Sequence, residues 1–203
     1  FILKSFVYLT LLQFRENMAF VILIATVAIS LYAMYRNQSI YYRWMFSPWR
    51  VRREGAWYTF ITSGFLHADL THLLFNMITF YFFAFRFESI VGEVNFLIIY
   101  FGSMIIADMG SFFKHANNPN FRSLGASGAV SGIVFGSILY FPTSKMIIFP
   151  LPIPIPAYIF GVLYLAWCFY AERQARDNIN HSAHLFGAIA GAVLTILLEP
   201  AVV

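Results

Sequence analysis

The chain has 203 residues, of which 60% are hydrophobic, 20% aromatic and only 11% charged. With a mean hydropathy of +0.71 it has too little polar surface for a water-soluble fold, so a polytopic membrane protein resident in a lipid bilayer is expected. The net charge of +4 fits Arg and Lys flanking membrane spans, and no nucleic-acid partner is expected; the lone Cys168 excludes an intrachain disulfide.

Taken in order, residues 1–12 are apolar but carry Lys4 and run into Arg15-Glu16-Asn17, which reads as an interfacial helix leading to a first span over 18–35. No cleavable signal is evident at this end. From 36 to 56, arginines mix with Tyr41, Tyr42, Trp44 and Trp49, the composition of an interfacial loop at headgroup level. Further spans are expected at 69–87, 94–113, 127–141, 157–170 and 181–198. The fourth, with 15 residues, rises only about 22 Å against roughly 30 Å of hydrocarbon, so its first residue should sit below the surface and the loop before it should dip into the membrane. Pro150, Pro152, Pro154 and Pro156 alternate with apolar residues and predict an extended lead into the fifth span. Residues 171–180 read as a polar loop. The expected fold is all-α, one domain of six transmembrane helices over residues 1–203.

The most informative stretch is Ser123-Leu124-Gly125-Ala126-Ser127-Gly128 at the start of the fourth span. Glycines here let the backbone turn tightly and leave the Ser127 side chain and N–H uncovered, as a nucleophile with its own oxyanion donor requires. Gly128, Gly132 and Gly136 recur every four residues, as do Ala183, Gly187 and Gly191 in the sixth span; such stripes allow close helix approach in membranes.

Spans two, four and six run in the same direction, so their N-terminal ends share one side of the membrane. There lie His72 and, one turn deeper, Asn76; Ser127; and His181 and His184. A serine needs a base to take its proton, and imidazole is the usual one. Either histidine alone reads first as a structural hydrogen-bonding group; beside Ser127 the catalytic reading prevails, with His184 preferred and His181 one turn away orienting the loop or holding water. A Ser–His dyad is expected in place of a triad. Donors for the tetrahedral oxyanion would be His72, Asn76 and the Ser127 N–H. For Asn76 the competing reading is an interhelical hydrogen bond.

These residues resemble the rhomboid intramembrane serine proteases across nearly the whole chain. The matching motifs are His67-x4-His72-x3-Asn76, Glu88 with Gly92 after it, Gly125-Ala126-Ser127-Gly128, and Ala183-His184-x2-Gly187-x3-Gly191. The resemblance implies Ser127 as nucleophile, His184 as general base, and an oxyanion hole of His72, Asn76 and the Ser127 amide. It also implies that Gly187 lets span six pack on span four, that Glu88 bonds loop and helix-end groups, and that His67 supports the first loop. Transmembrane segments of other membrane proteins would be the substrates, with no metal or other cofactor, and span five with the loop before His181 would gate lateral access. Many members have Trp-Arg where this chain has Trp57-Tyr58, so first-loop packing is expected to differ.

On the expected catalytic side lie Arg36, Arg43, Arg50, Arg52, Arg53, Lys114, Arg122, Arg173 and Arg176, against Lys4, Arg15, Arg86 and Lys145 on the other. The positive-inside rule would place the site in the cytoplasm. The resemblance implies a bacterial inner-membrane protein with the site facing the extracytoplasmic side, and that placement is the expectation carried forward. Two rival functions are an inactive rhomboid-like protein that binds transmembrane helices, and a metal enzyme using His67, Asp69, His72, His181 and His184.

Overall fold

The computed structural model describes residues 17–148, 151–174 and 180–202. The expected interfacial helix over 1–12 lies outside them. The fold is an all-α polytopic bundle with one small hairpin. Its helices are α1 (Met18–Tyr35), α2 (Ser39–Trp44), α3 (Pro48–Glu54), α4 (Thr59–Thr62), α5 (Leu70–His115), α6 (Ser127–Tyr140), α7 (Ala157–Gln174) and α8 (His181–Leu198); β1 (Lys145–Ile148) and β2 (Leu151–Pro156) stand between α6 and α7.

The second and third spans are arms of one 46-residue helical stretch, α5, broken at Gly92 with φ 78° and ψ 163°. At 1.5 Å per residue an unbroken α5 would be about twice as long as the hydrocarbon is thick. Gly92 reaches a backbone region closed to side-chain-bearing residues and turns the chain back. α5 begins at Leu70, and Asp69 is its N-cap, accepting from the His72 N–H at 2.8 Å. By length and hydropathy, α1, α5 and α8 each suffice to cross a membrane, and α6 is a shorter apolar helix.

α6 occupies the centre. Every residue from Gly128 to Ser137 is buried, because α5, α7 and α8 surround it. Its stripe of glycines explains how. A methyl group built on Gly191 would lie 2.2 Å from the Gly132 Cα, and one on Gly136 2.6 Å from Phe87 Cζ, so α6 and α8 touch backbone to backbone and dispersion replaces the hydrophobic force that lipid cannot supply. Large apolar side chains such as Phe82, Val94, Val162 and Leu197 are exposed on the outer helices, the side of the bundle that faces acyl chains.

α1 is tied to this core by Glu88, whose two carboxylate oxygens accept from the N–H groups of Met18 and Ala19, each at 2.8 Å. A carboxylate there satisfies two orphan donors and complements the positive end of the helix dipole.

Three sequence expectations are corrected. Residues 36–56 contain two short helices, α2 and α3, because Ser47 accepts from the Arg50 N–H, Pro48 opens α3 and Gly55 (φ 69°) closes it. The fifth helix runs to Gln174, four residues into the stretch expected as a loop; the expected loop residues 175–179 lie outside the described part. The fourth ends at Tyr140. The proline-alternating stretch is extended, as expected, and pairs with β1 in register Met146↔Ile155. Pro150 lies outside the described residues, and Pro154 and Pro156 stand opposite Ile147 and Lys145 in the ladder.

The first loop packs through Tyr58 and Arg50. Tyr58 O–H donates to the Arg43 carbonyl at 3.0 Å, and Arg50 donates to the Tyr42 carbonyl at 2.6 Å and to Glu54 at 2.8 Å. Trp57 stacks on Phe60 with ring centres 6.0 Å apart.

Candidate active site

The loop before α6 is held from three sides. Phe46 and Ser123 exchange backbone hydrogen bonds at 2.9 Å each, and the Gly125 N–H donates to the Ser63 carbonyl at 3.0 Å. Gly125 has φ 119°, and its Cα faces the His72 ring so closely that an added Cβ would lie 2.7 Å from Cε1 and 2.9 Å from Nε2. A residue without a side chain is therefore required twice over, once for the backbone and once for the imidazole. Ser127 follows as the first residue of α6.

His67 forms the floor of this loop. Its ring is fully buried. Ser30 Oγ donates to the Phe65 carbonyl at 2.8 Å and stands 3.0 Å from His67 Nδ1, so the serine's proton is committed and Nδ1–H is the donor between them. The lone pair on Nε2 then accepts from the Ala126 N–H at 3.5 Å, and Tyr41 O–H donates to the His67 carbonyl at 2.7 Å. Burial, reinforced by the neighbouring His72 and opposed by Asp69, pushes His67 down to about 3, so it is a neutral strut at physiological pH.

His72 and Asn76 stand on the first arm of α5. The Asn76 amide donates to the His72 carbonyl at 3.0 Å; an amide carries two N–H donors, so this bond occupies one of them. The His67 and His72 rings meet edge to face with centres 4.9 Å apart.

His184 comes from α8. The helix start is anchored by Asn180, whose Oδ1 accepts from the Ala183 N–H at 3.1 Å and whose Nδ2 donates to Ser111 Oγ at 2.8 Å and Ser123 Oγ at 3.3 Å. Glu172 accepts from the Ser182 N–H at 3.0 Å and pairs with Lys114. His181 is buried, its ring centre 6.2 Å from that of His184.

Ser127, His184, His72, Asn76, Gly125 and Gly128 all line one cavity of about 940 Å³. A second, of about 240 Å³, lies between α5, α6 and α7, and Asn76, Ser127 and His184 line it too, with Phe75, Phe160 and Tyr164. A hydroxyl, an imidazole and two further N–H-bearing side chains thus face shared space. Such a set can transfer a proton, attack a carbonyl and bind an oxyanion. His67, His181 and Glu88 stand outside these linings, in the loop floor, at the first residue of α8 and at the α1 end.

Sequence reasoning missed Asn180, Ser131, Tyr164 and Asp108. Asn180 had a readable signal, since Asn before a helical run is an N-cap. Asp108, a buried carboxyl of α5, lines the larger cavity and accepts from Ser63 O–H at 3.5 Å. Among the described residues no three His, Cys, Asp or Glu side chains stand close enough to hold a metal ion.

A family model described as the rhomboid domain matches residues 54–201. The chain is 33% identical over 144 residues to a putative rhomboid protease, YdcA, of Bacillus subtilis (strain 168), covering 71% of this chain and 68% of that protein. It is 29% identical over 148 residues to the mitochondrial rhomboid protein 1 of Saccharomyces cerevisiae (70% and 42%), and 25% identical over 158 residues to the rhomboid protease AarA of Providencia stuartii (70% and 56%). The chain therefore spans about two thirds of the Bacillus relative and about half of the other two.

Proposed function

We propose, on the premise that the chain belongs to the rhomboid family, that it is an intramembrane serine endopeptidase acting on transmembrane segments of other membrane proteins. The observation that carries this reading is the convergence of Ser127, His184, His72 and Asn76 on one cavity. The residues ahead of the family match work in the same single domain, since Glu88 caps α1.

Ser127 Oγ attacks the scissile carbonyl carbon while His184 Nε2 takes its proton. The carbonyl oxygen becomes an oxyanion held by the Ser127 backbone N–H, the His72 ring N–H and an Asn76 amide N–H. The carbon–nitrogen bond then breaks, and the imidazolium returns its proton to the leaving amine. Water attacks the acyl-enzyme with His184 again as base, releasing the carboxylic acid and restoring Ser127. His67 stays neutral and holds the Ala126 N–H, which sets the entrance of α6 one residue before the nucleophile.

Substrate reaches Ser127 between α5 and α7, through the space lined by Phe75 and Phe160. The site opens to the extracytoplasmic side of a bacterial inner membrane. The arginines that argue otherwise are in part occupied: Arg50 holds the Tyr42 carbonyl, Arg52 holds Asn117, and Arg122 holds Ser47 and Pro119. They brace the loop that covers the site.

The test uses the purified chain in liposomes with a single-span reporter, the cut located by mass spectrometry. Wild type cleaves within or beside the reporter's span, and Ser127→Ala and His184→Ala do not, while both keep the wild-type melting temperature. A fluorophosphonate labels Ser127. Full cleavage by either variant would remove the dyad, and an unlabelled, inactive wild type would favour the inactive helix-binding reading.

A further inference from the structure

Tyr164, in the middle of α7, turns its hydroxyl inward between α6 and α8. The phenol oxygen stands 2.8 Å from Ser131 Oγ, one turn beyond Ser127 on α6, and 3.3 Å from Nδ1 of His184. Its ring is held by Phe135 and Phe160, each with its centre 5.6 Å away. A phenol inside a span is costly unless its oxygen is bonded. Its partners include Ser131 and His184, side chains on the two helices that carry the reacting groups, beside Cys168 one turn along α7, and no step of the proposed mechanism uses Tyr164 or Ser131.

We propose that Tyr164 is the positioning residue for the base: His184 Nδ1–H donates to the Tyr164 oxygen, and Tyr164 O–H donates to Ser131 Oγ. This rests on the reading of Ser127 and His184 as a proteolytic dyad. A neutral imidazole carries one N–H, and an acceptor at Nδ1 keeps it there, leaving the Nε2 lone pair for the serine. When His184 takes the serine's proton, the Nδ1–H bond becomes charge-assisted and strengthens, so the phenol contributes more to the transition state than to the ground state. It fills the orienting role of a triad's third member from a helix that bears neither reacting group. The opposite polarity, with the phenol donating to Nδ1, would put the proton on Nε2 and disable the base.

Among the described residues, the titratable and charged groups around His184 are Tyr164 and, beside it, Cys168 on α7, His181 on its own helix, and across the cavity Asp69 capping α5, His72 and Asp108 of α5, and Arg122 of the loop before α6. Tyr164→Phe removes only the hydroxyl. With the single-span reporter it should lower kcat roughly 3- to 10-fold, about the difference between a charge-assisted and a neutral hydrogen bond. KM should not change, and the acid limb of the pH profile should move to lower pH, because the cationic ring loses its acceptor. Ser131→Ala should shift both in the same direction by less. An unchanged kcat and pH profile in Tyr164→Phe overturns the proposal; so does a lower kcat with an unmoved pH profile, which a packing role alone would give. The second measurement needs no proteolysis. In the 15N spectrum of histidine-labelled protein above the imidazole titration, His184, identified by its loss in His184→Ala, should be the Nδ1–H tautomer in wild type and less so in Tyr164→Phe. A wild-type ring protonated on Nε2 overturns the relay even if Tyr164→Phe fails to fold. A wild type that cuts no reporter defeats the protease reading and leaves this measurement to decide the relay.

Discussion

A methyl group built on Gly187 would lie 2.3 Å from the carbonyl oxygen of Gly128. The helices bearing Ser127 and His184 are in backbone contact one residue past the serine and three past the histidine, and this contact sets the distance between the two side chains.

Gly187→Ala should therefore be damaging, because a backbone carbonyl cannot swing aside as a side chain can. α8 must back away from α6, and displacing a catalytic group by about 1 Å costs on the order of 100-fold in rate. Reporter cleavage should fall by about that factor, with a lowered melting temperature. Gly161→Ala is the control: its nearest neighbour, Ile138 Cδ1, is 3.6 Å from the added carbon, an ordinary contact, and neither quantity should move.

Gly92→Ala should act through the backbone alone. Apart from the adjoining backbone, no atom lies within 4 Å of its Cβ position, yet φ is 78°. The cost should be about 1–3 kcal/mol of stability, seen in thermal or denaturant unfolding, while the folded fraction keeps near wild-type specific activity. Loss of activity without loss of stability would contradict this.

Asn76→Ala removes an amide bonded at 3.0 Å to its own helix. If that amide also holds the oxyanion, kcat should drop about 100- to 1,000-fold with KM little altered. A change of less than threefold would return Asn76 to a purely structural role.

His67 sets a pH dependence of stability. Its value in the folded protein is about 3 against an ordinary 6.5, so the unfolded chain binds the extra proton first. The stabilisation is complete above about pH 6.5 and is lost progressively as pH falls toward 3. Wild-type melting temperature should decline between pH 7 and 4.5. His67→Gln should be less stable at pH 7 but flatter across that window; parallel curves would show that another group governs the decline.

Orientation can be read with an impermeant maleimide. In a Cys168→Ala background, Asn118→Cys lies in the loop ahead of α6 and Thr143→Cys beyond its far end, both exposed. In spheroplasts the first should label and the second should not; the reverse pattern would place the site in the cytoplasm.

Much of this was legible from residues alone. Ser127, His72, Asn76 and His184 were visible because polar groups in apolar runs are costly and so carry meaning, and the parity of spans two, four and six brought them to one side. The stretch from Leu70 to His115 was harder. It reads as two spans, 69–87 and 94–113, with Glu88, Gly92 and Glu93 between them, and only the φ of Gly92 shows which residue breaks an otherwise continuous helix. The helices within 36–56 were hidden because aromatic and basic residues suit an interfacial loop as well as a short amphipathic turn.

What the chain determined by itself is where it must be buried in lipid and which few polar residues lipid would not tolerate idly, for both follow from transfer free energy, a property of each side chain. What only the tertiary structure decided is who meets whom. α6 is apolar on every face, so no periodicity says which neighbour each face receives. Glycine-to-glycine contact put α8 against it with His184 near Ser127, and the packing of α7 brought the Tyr164 hydroxyl to the far nitrogen of that histidine.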